Sequence, residues 1–305
     1  MEESEHEGPL QSIPDEIAEW LSDWRNIHRD FPHVLFHYTE TAGLCGIIRS
    51  QQLWATHVYY VNDAQEFRYA SAFIAKAFDD RIEQSPSNLT KRIAQVRDCY
   101  RGHASLWESV ADTYIVCFCE LGNLLSQWRA YAANGQGFAL GFAPDRIMRA
   151  LQSDADIATS SKLFRVIYDP RKQRQLVDSA VDRLVSALEN HDEETVLDQV
   201  PLVFSEMAFC FKHDAFAEER EWRLVCLPHL PRSVDVRTSE GRLVPYATIP
   251  ISLPGERPPY VEVIHGPTLE ADNTKKAVQM LLGKAHPKFW PEVAISGSNA
   301  PLRSR

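Results

Sequence analysis

The sequence predicts an α+β protein built on one mixed or antiparallel sheet system, and three observations carry that expectation. Strand-like segments gather toward the two ends of the chain, long helical patterns fill the middle, and the 305 residues are 44% hydrophobic, enough to bury a sizeable core.

Residues 1–13 are acidic and aperiodic and read as disordered. In "PDEIAEWLSDWRNIHRDF", Ile17, Trp20, Leu21 and Trp24 recur at helical spacing, and Pro14 suits a first turn, so an appended helix is expected. "VLFHY" then reads as a strand, "TETAGLCGIIRSQQL" as a helix capped by Thr39 or Thr41, and "LWATHVYYV" as a second strand. Helix follows from about Ala64 to Ser109, interrupted near "EQSPSN". "TYIVCFCE" and "GFALGFA" are rich in strand formers and flank the helix-like "LLSQWRAYAAN". A further helical region covers roughly residues 172–213, with the basic "DPRKQRQ" reading as a solvated start to it. The last third returns to strands in "EWRLVCL", "VPYATIPI", "VEVIHGP" and "EVAIS", with a helix through "NTKKAVQMLLG". The strands of the two ends are expected to share one sheet. Residues 1–32 read as an extension with one helix, and 33–305 as a single domain.

Charge and cysteines narrow the class. A formal net charge of −10 argues against a surface that embraces phosphate backbones throughout. The start of the chain does not look like a signal peptide, and no apolar run of about eighteen residues is present, so a cytoplasmic protein without a membrane partner is expected. The six cysteines form no CxxC pair, and no HExxH or His-Cys cluster supports a metal. "GQGF" lacks the lysine of a phosphate loop and reads as a tight turn.

Several blocks carry a family resemblance. "LFHYTETAGLCGIIRSQQLWATHVYYVNDAQEFRYA", "CFCELGNLLSQWRAYAANGQGFALGF", "FAEEREWRLV", "IHGPTLE" and "SGSNAPLR" together resemble the domain of unknown function 2971 family over about residues 33–303. Cys119, where a serine is common, and the acidic N-terminal extension depart from it. The motif order is also similar to that of the ADP-ribosyltransferase fold. That resemblance implies an NAD-dependent enzyme, a toxin or anti-phage effector, with NAD as co-substrate and nucleic acid, protein or a small molecule as acceptor. The alternative is a non-catalytic module that binds a nucleotide or nucleic acid.

The resemblance implies a site. On an extended segment Glu219, Glu221 and Arg223 share one face while Trp222 and Leu224 take the other, which leaves the carboxylates facing a cleft. Glu221 is the expected catalytic group, stabilising an oxocarbenium-like state, with Glu219 orienting the acceptor. The competing reading is ion pairing of both glutamates with Arg220 and Arg223. His37, Tyr38 and Thr39 are expected to contact the cofactor, His37 and Thr39 from one strand face and Tyr38 from the other. Tyr60 and Asn62 alternate and can face the same cleft, although a cap of the following helix is the better-supported reading of Asn62 and Asp63. Gln127 and Tyr131 share a helix face, and Arg129 suits a diphosphate, unless it pairs with Asp63 or Glu66. Arg223 completes the cofactor set. The fold is expected to bring His37, Tyr60 and Glu221 around one cleft near the sheet ends.

Overall fold

A computed structural model describes residues 13–61, 64–104, 113–153, 161–227, 234–239, 241–267 and 270–301. Among these residues ten helices and ten strands form an α+β architecture. The helices are α1 (Asp15–Ile27), α2 (Thr41–Ser50), α3 (Ala64–Gln84), α4 (Ser87–Ala104), α5 (Leu125–Tyr131), α6 (Pro144–Gln152), α7 (Pro170–Asn190), α8 (Glu193–Leu197), α9 (Val200–Cys210) and α10 (Ala271–Ala285). The strands are β1 (Leu35–Thr39), β2 (Gln52–His57), β3 (Tyr114–Cys119), β4 (Phe138–Phe142), β5 (Lys162–Arg165), β6 (Glu221–Cys226), β7 (Val234–Ser239), β8 (Arg242–Pro250), β9 (Tyr260–His265) and β10 (Ala294–Gly297).

All ten strands belong to one sheet, antiparallel apart from the β9–β10 pair. Its order is β10-β9-β4-β1-β3-β2-β8-β7, with β6 on β3 and β5 on β6. The branch at β3 explains the shape. β6 pairs with β3 from Tyr114 to Cys119 and so takes one whole edge of that strand. β1 and β2 must share the other edge: β2 pairs with Tyr114 and Ile115, β1 with Cys119 alone. The ladder is therefore split beside Val116–Phe118, where a four-strand half and a six-strand half diverge.

Two layers cover the sheet. On one face Leu35, Leu53, Val116, Phe118, Leu140, Trp222 and Leu224 pack with α2, α6 and α10. On the other, Ile115 and Val225 pack with α1, α3, α4, α7, α8 and α9, while Tyr38 and Cys119 pack with Trp128 of α5. The N-terminal helix differs from the expectation of an appendage. Ile17, Trp20, Leu21 and Trp24 are buried in the same core as α7 and α9, and Trp24 Nε1 donates to the buried Glu206 Oε2 at 3.0 Å. Its apolar face is wide enough that it could not stay detached.

Other local differences have physical causes. α2 starts at Thr41 after Glu40, without a side-chain cap; Thr39 lies under the helix, where a Cβ at Gly43 would collide with its Oγ1. β2 stops at His57, whose Nδ1 accepts from Tyr59 N at 3.3 Å and starts a 3-10 turn over Val58–Tyr60. The "AEERE" segment is likewise not strand: Asp214–Glu219 is a 3-10 turn, Arg220 is left-handed at φ 45°, and β6 begins at Glu221. The "GQGF" turn is tight as expected, with Asn134 and Gly135 at φ 53° and 86°. "DPRKQRQ" opens α7, where Asp169 caps Arg171 N at 2.9 Å.

Candidate functional site

Along β3 the residues facing the helical layer are Ile115, Cys117 and Cys119. Ile115 is covered by the helical core and Cys119 by α5, but Cys117 between them is exposed. It lies beside the split. Its thiol donates to the carboxylate of Glu221, and crowding by surrounding groups together with that carboxylate pushes the thiol well above its ordinary pKa. Cys117 is thus a neutral hydrogen-bond donor rather than a thiolate nucleophile.

Glu221, Arg223 and Lys212 are 6, 4 and 1% exposed. Arg223 Nε and Nη2 donate to the two Glu221 oxygens at 2.8 and 2.9 Å, and Nη1 to Phe209 O at 3.1 Å. Lys212 Nζ bridges Glu219 Oε2 at 2.6 Å and Glu221 Oε2 at 3.1 Å. The Glu221 backbone N–H donates to Tyr168 Oη at 3.0 Å. Burial alone would raise the Glu221 carboxyl, but Arg223 and then Lys212 overcome it and hold its pKa at about 2. The ion-pair reading of Glu221 is therefore realised through Arg223 and Lys212. Glu219 joins from the preceding turn, not from the strand face.

On the far side of β3, β2 contributes Trp54, 46% exposed and tilted against Tyr246 at 4.6 Å. The Arg237 guanidinium lies 5.6 Å from the Trp54 ring and 5.9 Å from that of Tyr246, and its Nη2 donates to Thr56 Oγ1 at 2.9 Å. Pairing puts Trp54, Thr56, Tyr246 and Arg237 on the Cys117 and Glu221 face. Trp54 thus stands on the strand next to β3, with Tyr246 and Arg237 reaching it from the two strands beyond, and the ionised carboxylate stands on the opposite side of β3.

His37 fills the split itself. Its Nδ1 lies 3.0 Å from Cys117 O, a carbonyl on the stretch of β3 edge left without a strand partner. Burial, and the charge of Arg237, push its pKa below the ordinary value, whereas the bond to Cys117 O opposes this. The register places His37 opposite Leu140, on the α2 and α6 face, whereas Glu221 pairs with Cys119 on the other. The expectation that the fold brings His37 and Glu221 around one cleft is corrected by that register: they lie on opposite faces and meet only at Cys117, one on its carbonyl and one on its thiol.

Residues 127–224 match the family described as protein of unknown function (DUF2971). That bears out the family resemblance over this stretch, and no curated protein and no solved structure matches the chain. The matched segment runs from within α5 into β6 and contains Lys212, Glu219, Glu221 and Arg223 together, so the buried charge cluster lies wholly within it.

The remaining expected residues are scattered. Tyr38 is buried beneath α5, its hydroxyl donating to Leu121 O at 2.8 Å and accepting from Leu124 N at 2.9 Å, which anchors the start of that helix. Thr39 lies under α2. Tyr60 is exposed in the 3-10 turn, where period-two alternation does not apply, and it follows the Tyr114 end of β3 while Glu221 pairs at the Cys119 end. About 17 Å of strand separates those ends. Asn62 lies outside the described residues, as do Asp63 and the Glu66 side chain. Gln127 is buried, Tyr131 packs beside Tyr38 and Trp128, and Arg129 is exposed without an ion-pair partner among the described residues. Arg223 is a partner of Glu221 rather than an open cation. Sequence reasoning missed Cys117, Trp54, Lys212, Tyr168 and Arg237. Only the exposed aromatic in "LWATH" offered a local signal. Among the described residues no group of His, Cys, Asp and Glu could hold a metal, and no helix is long and apolar enough to cross a membrane.

Proposed function

We propose that the chain is an NAD-dependent ADP-ribosyltransferase-like enzyme, with NAD as co-substrate and a nucleic acid, protein or small molecule as acceptor. One observation carries this reading: Glu221 is a buried carboxylate kept ionised beside the exposed Cys117. A carboxylate with pKa about 2 is useless as a general acid at neutral pH, but it suits stabilisation of positive charge developing on a ribose ring. The Trp54, Tyr246 and Arg237 wall supports the same ligand class, since it offers a ring face and a cation to an aromatic phosphorylated molecule.

The non-catalytic alternative rests on an observation of its own. Both Glu221 oxygens are engaged by Arg223 and one also by Lys212, the pattern of a structural charge cluster. Incubation with NAD separates the two: release of free nicotinamide supports the enzyme, and NAD binding without release supports the module. Absence of both from folded protein overturns the nucleotide reading altogether.

A further inference from the structure

On the other side of the sheet, α6 and the loop after β8 enclose a groove with room for about 190 Å³, lined by Arg146, Arg149, Ser252, Glu256 and Arg257. Arg146 and Arg149 stand three residues apart on α6 and so share one helix face. Ile147 and Leu151 on the opposite face fix the helix in the core. Arg146 Nη1 donates to Pro258 O at 3.1 Å, which ties the helix to the loop that carries Arg257. Arg257 pairs with Glu292 at 2.7 Å, and Arg149 has no ion-pair partner among the described residues. Burial and the charges of Arg257 and Arg149 both act against the Arg146 cation.

In a chain of net charge −10, three guanidiniums converge here against the two carboxylates of Glu256 and Glu292. Three guanidiniums against two carboxylates leave a net positive charge in a concave place, which an anion would offset. Guanidinium groups from two elements, one already oriented by a backbone carbonyl, match the planar, multidentate recognition of phosphate oxygens.

We propose that this groove binds the phosphate groups of a small ligand, a free diphosphate or the phosphate of a nucleotide, at a site separate from the surroundings of Cys117 and Glu221.

The test is calorimetric titration of the full chain with pyrophosphate, inorganic phosphate and AMP, at two salt concentrations. Pyrophosphate is expected to bind, more weakly at the higher salt. Arg149→Gln should lower its affinity roughly ten-fold or more, and Arg149→Lys should lose less. Arg149 is exposed, so its variants should melt like the wild type. Arg257→Gln is the second arm and should also weaken binding, whereas Arg237→Gln, in the other site, should not. Tighter binding of AMP than of inorganic phosphate identifies a nucleotide, and the reverse order a free phosphate. Absence of pyrophosphate binding, or binding unaltered in both Arg149→Gln and Arg257→Gln, overturns the proposal and leaves the reading of Glu221 untouched.

Discussion

The Nδ1 of His37 lies 3.0 Å from the carbonyl oxygen of Cys117, where β3 loses its strand partner. A side chain thereby replaces a missing ladder bond, and the two halves of the sheet are joined by an imidazole. With its pKa lowered, the ring is neutral at neutral pH, so the nitrogen facing a carbonyl must carry the proton and Nε2 keeps a lone pair.

His37 should therefore titrate below the ordinary histidine pKa in the Nδ1–H tautomer, checked by nitrogen chemical shifts across pH 4–8. His37→Ala should cost about 0.5–1.5 kcal/mol by removing the bond to Cys117 O, and His37→Asn should recover part of it. Observation of the Nε2–H tautomer would falsify the assignment of His37 as donor to Cys117. If NAD binds beside the split, the alanine variant should also weaken it.

Glu221→Gln should destabilise the protein, by about 3–5 kcal/mol, because Arg223 would be left as a buried cation without its carboxylate and Lys212 would keep only Glu219. Arg223→Met should act similarly, and the double variant should lose much less than the sum, a coupling measured by urea unfolding of all four proteins. Additive losses would mean that the pair is not the unit described. The pH dependence follows from the depressed carboxyl: its contribution is complete above the unfolded value near 4.5 and is lost as pH falls toward about 2.

What was legible in the sequence was whatever period and propensity determine locally. The alternation of Glu221 and Arg223 against Trp222 and Leu224 placed the last two in the core, as found. Strand order was not legible, because nothing in "LFHYT" or "QLWATH" states that both strands share one edge of β3. The split, and with it the exposure of Cys117, is a property of that order. Cys117 sits in an apolar run and reads as core. Tyr60 failed for a different reason: "VYYV" has strand composition, but His57 turns the chain before it. α6, β5 and β7 were also not foreseen. β5 has only four residues, β7 is a largely exposed edge strand, and α6 has only nine, with Ile147, Ala150 and Leu151 as its short buried stripe.

Removing residues 1–32 should unfold the protein rather than trim it. Trp24 is fully buried, stacks 5.7 Å from Trp20 and bonds to Glu206, which also pairs with Lys162. Trp24→Ala should cost about 3–5 kcal/mol, and Trp24→Phe less, though Glu206 then loses one donor. Circular dichroism melts of the truncated and point variants check this. A truncated chain with wild-type melting would show that α1 is an appendage after all.

His28 should make the protein sensitive to mild acid. Its ring is buried against Trp24 and Phe164, its Nδ1 accepts from Arg165 N at 3.0 Å, and its Nε2 has no partner among the described residues. Burial, assisted by the charge of Arg165, lowers its pKa to about 4. The unfolded chain takes up the proton near pH 6.5 and the folded one only near 4, so between those values the unfolded state holds more protons and stability falls as pH falls. The expected slope from this residue is about 1.4 kcal/mol per pH unit within that window, and zero outside it. His28→Asn retains an acceptor for Arg165 N but cannot be protonated. Its stability at pH 7 should be lower through lost ring packing, while its decline between pH 6.5 and 4 should be shallower than wild type by one proton. Urea unfolding at pH 7.0, 5.5 and 4.5 measures both quantities. His37 and His286, whose pKa values are also lowered by burial, contribute to the wild-type slope, so the difference between the two proteins is the decisive quantity. Parallel slopes would assign the acid sensitivity to those other histidines and return His28 to an ordinary titration.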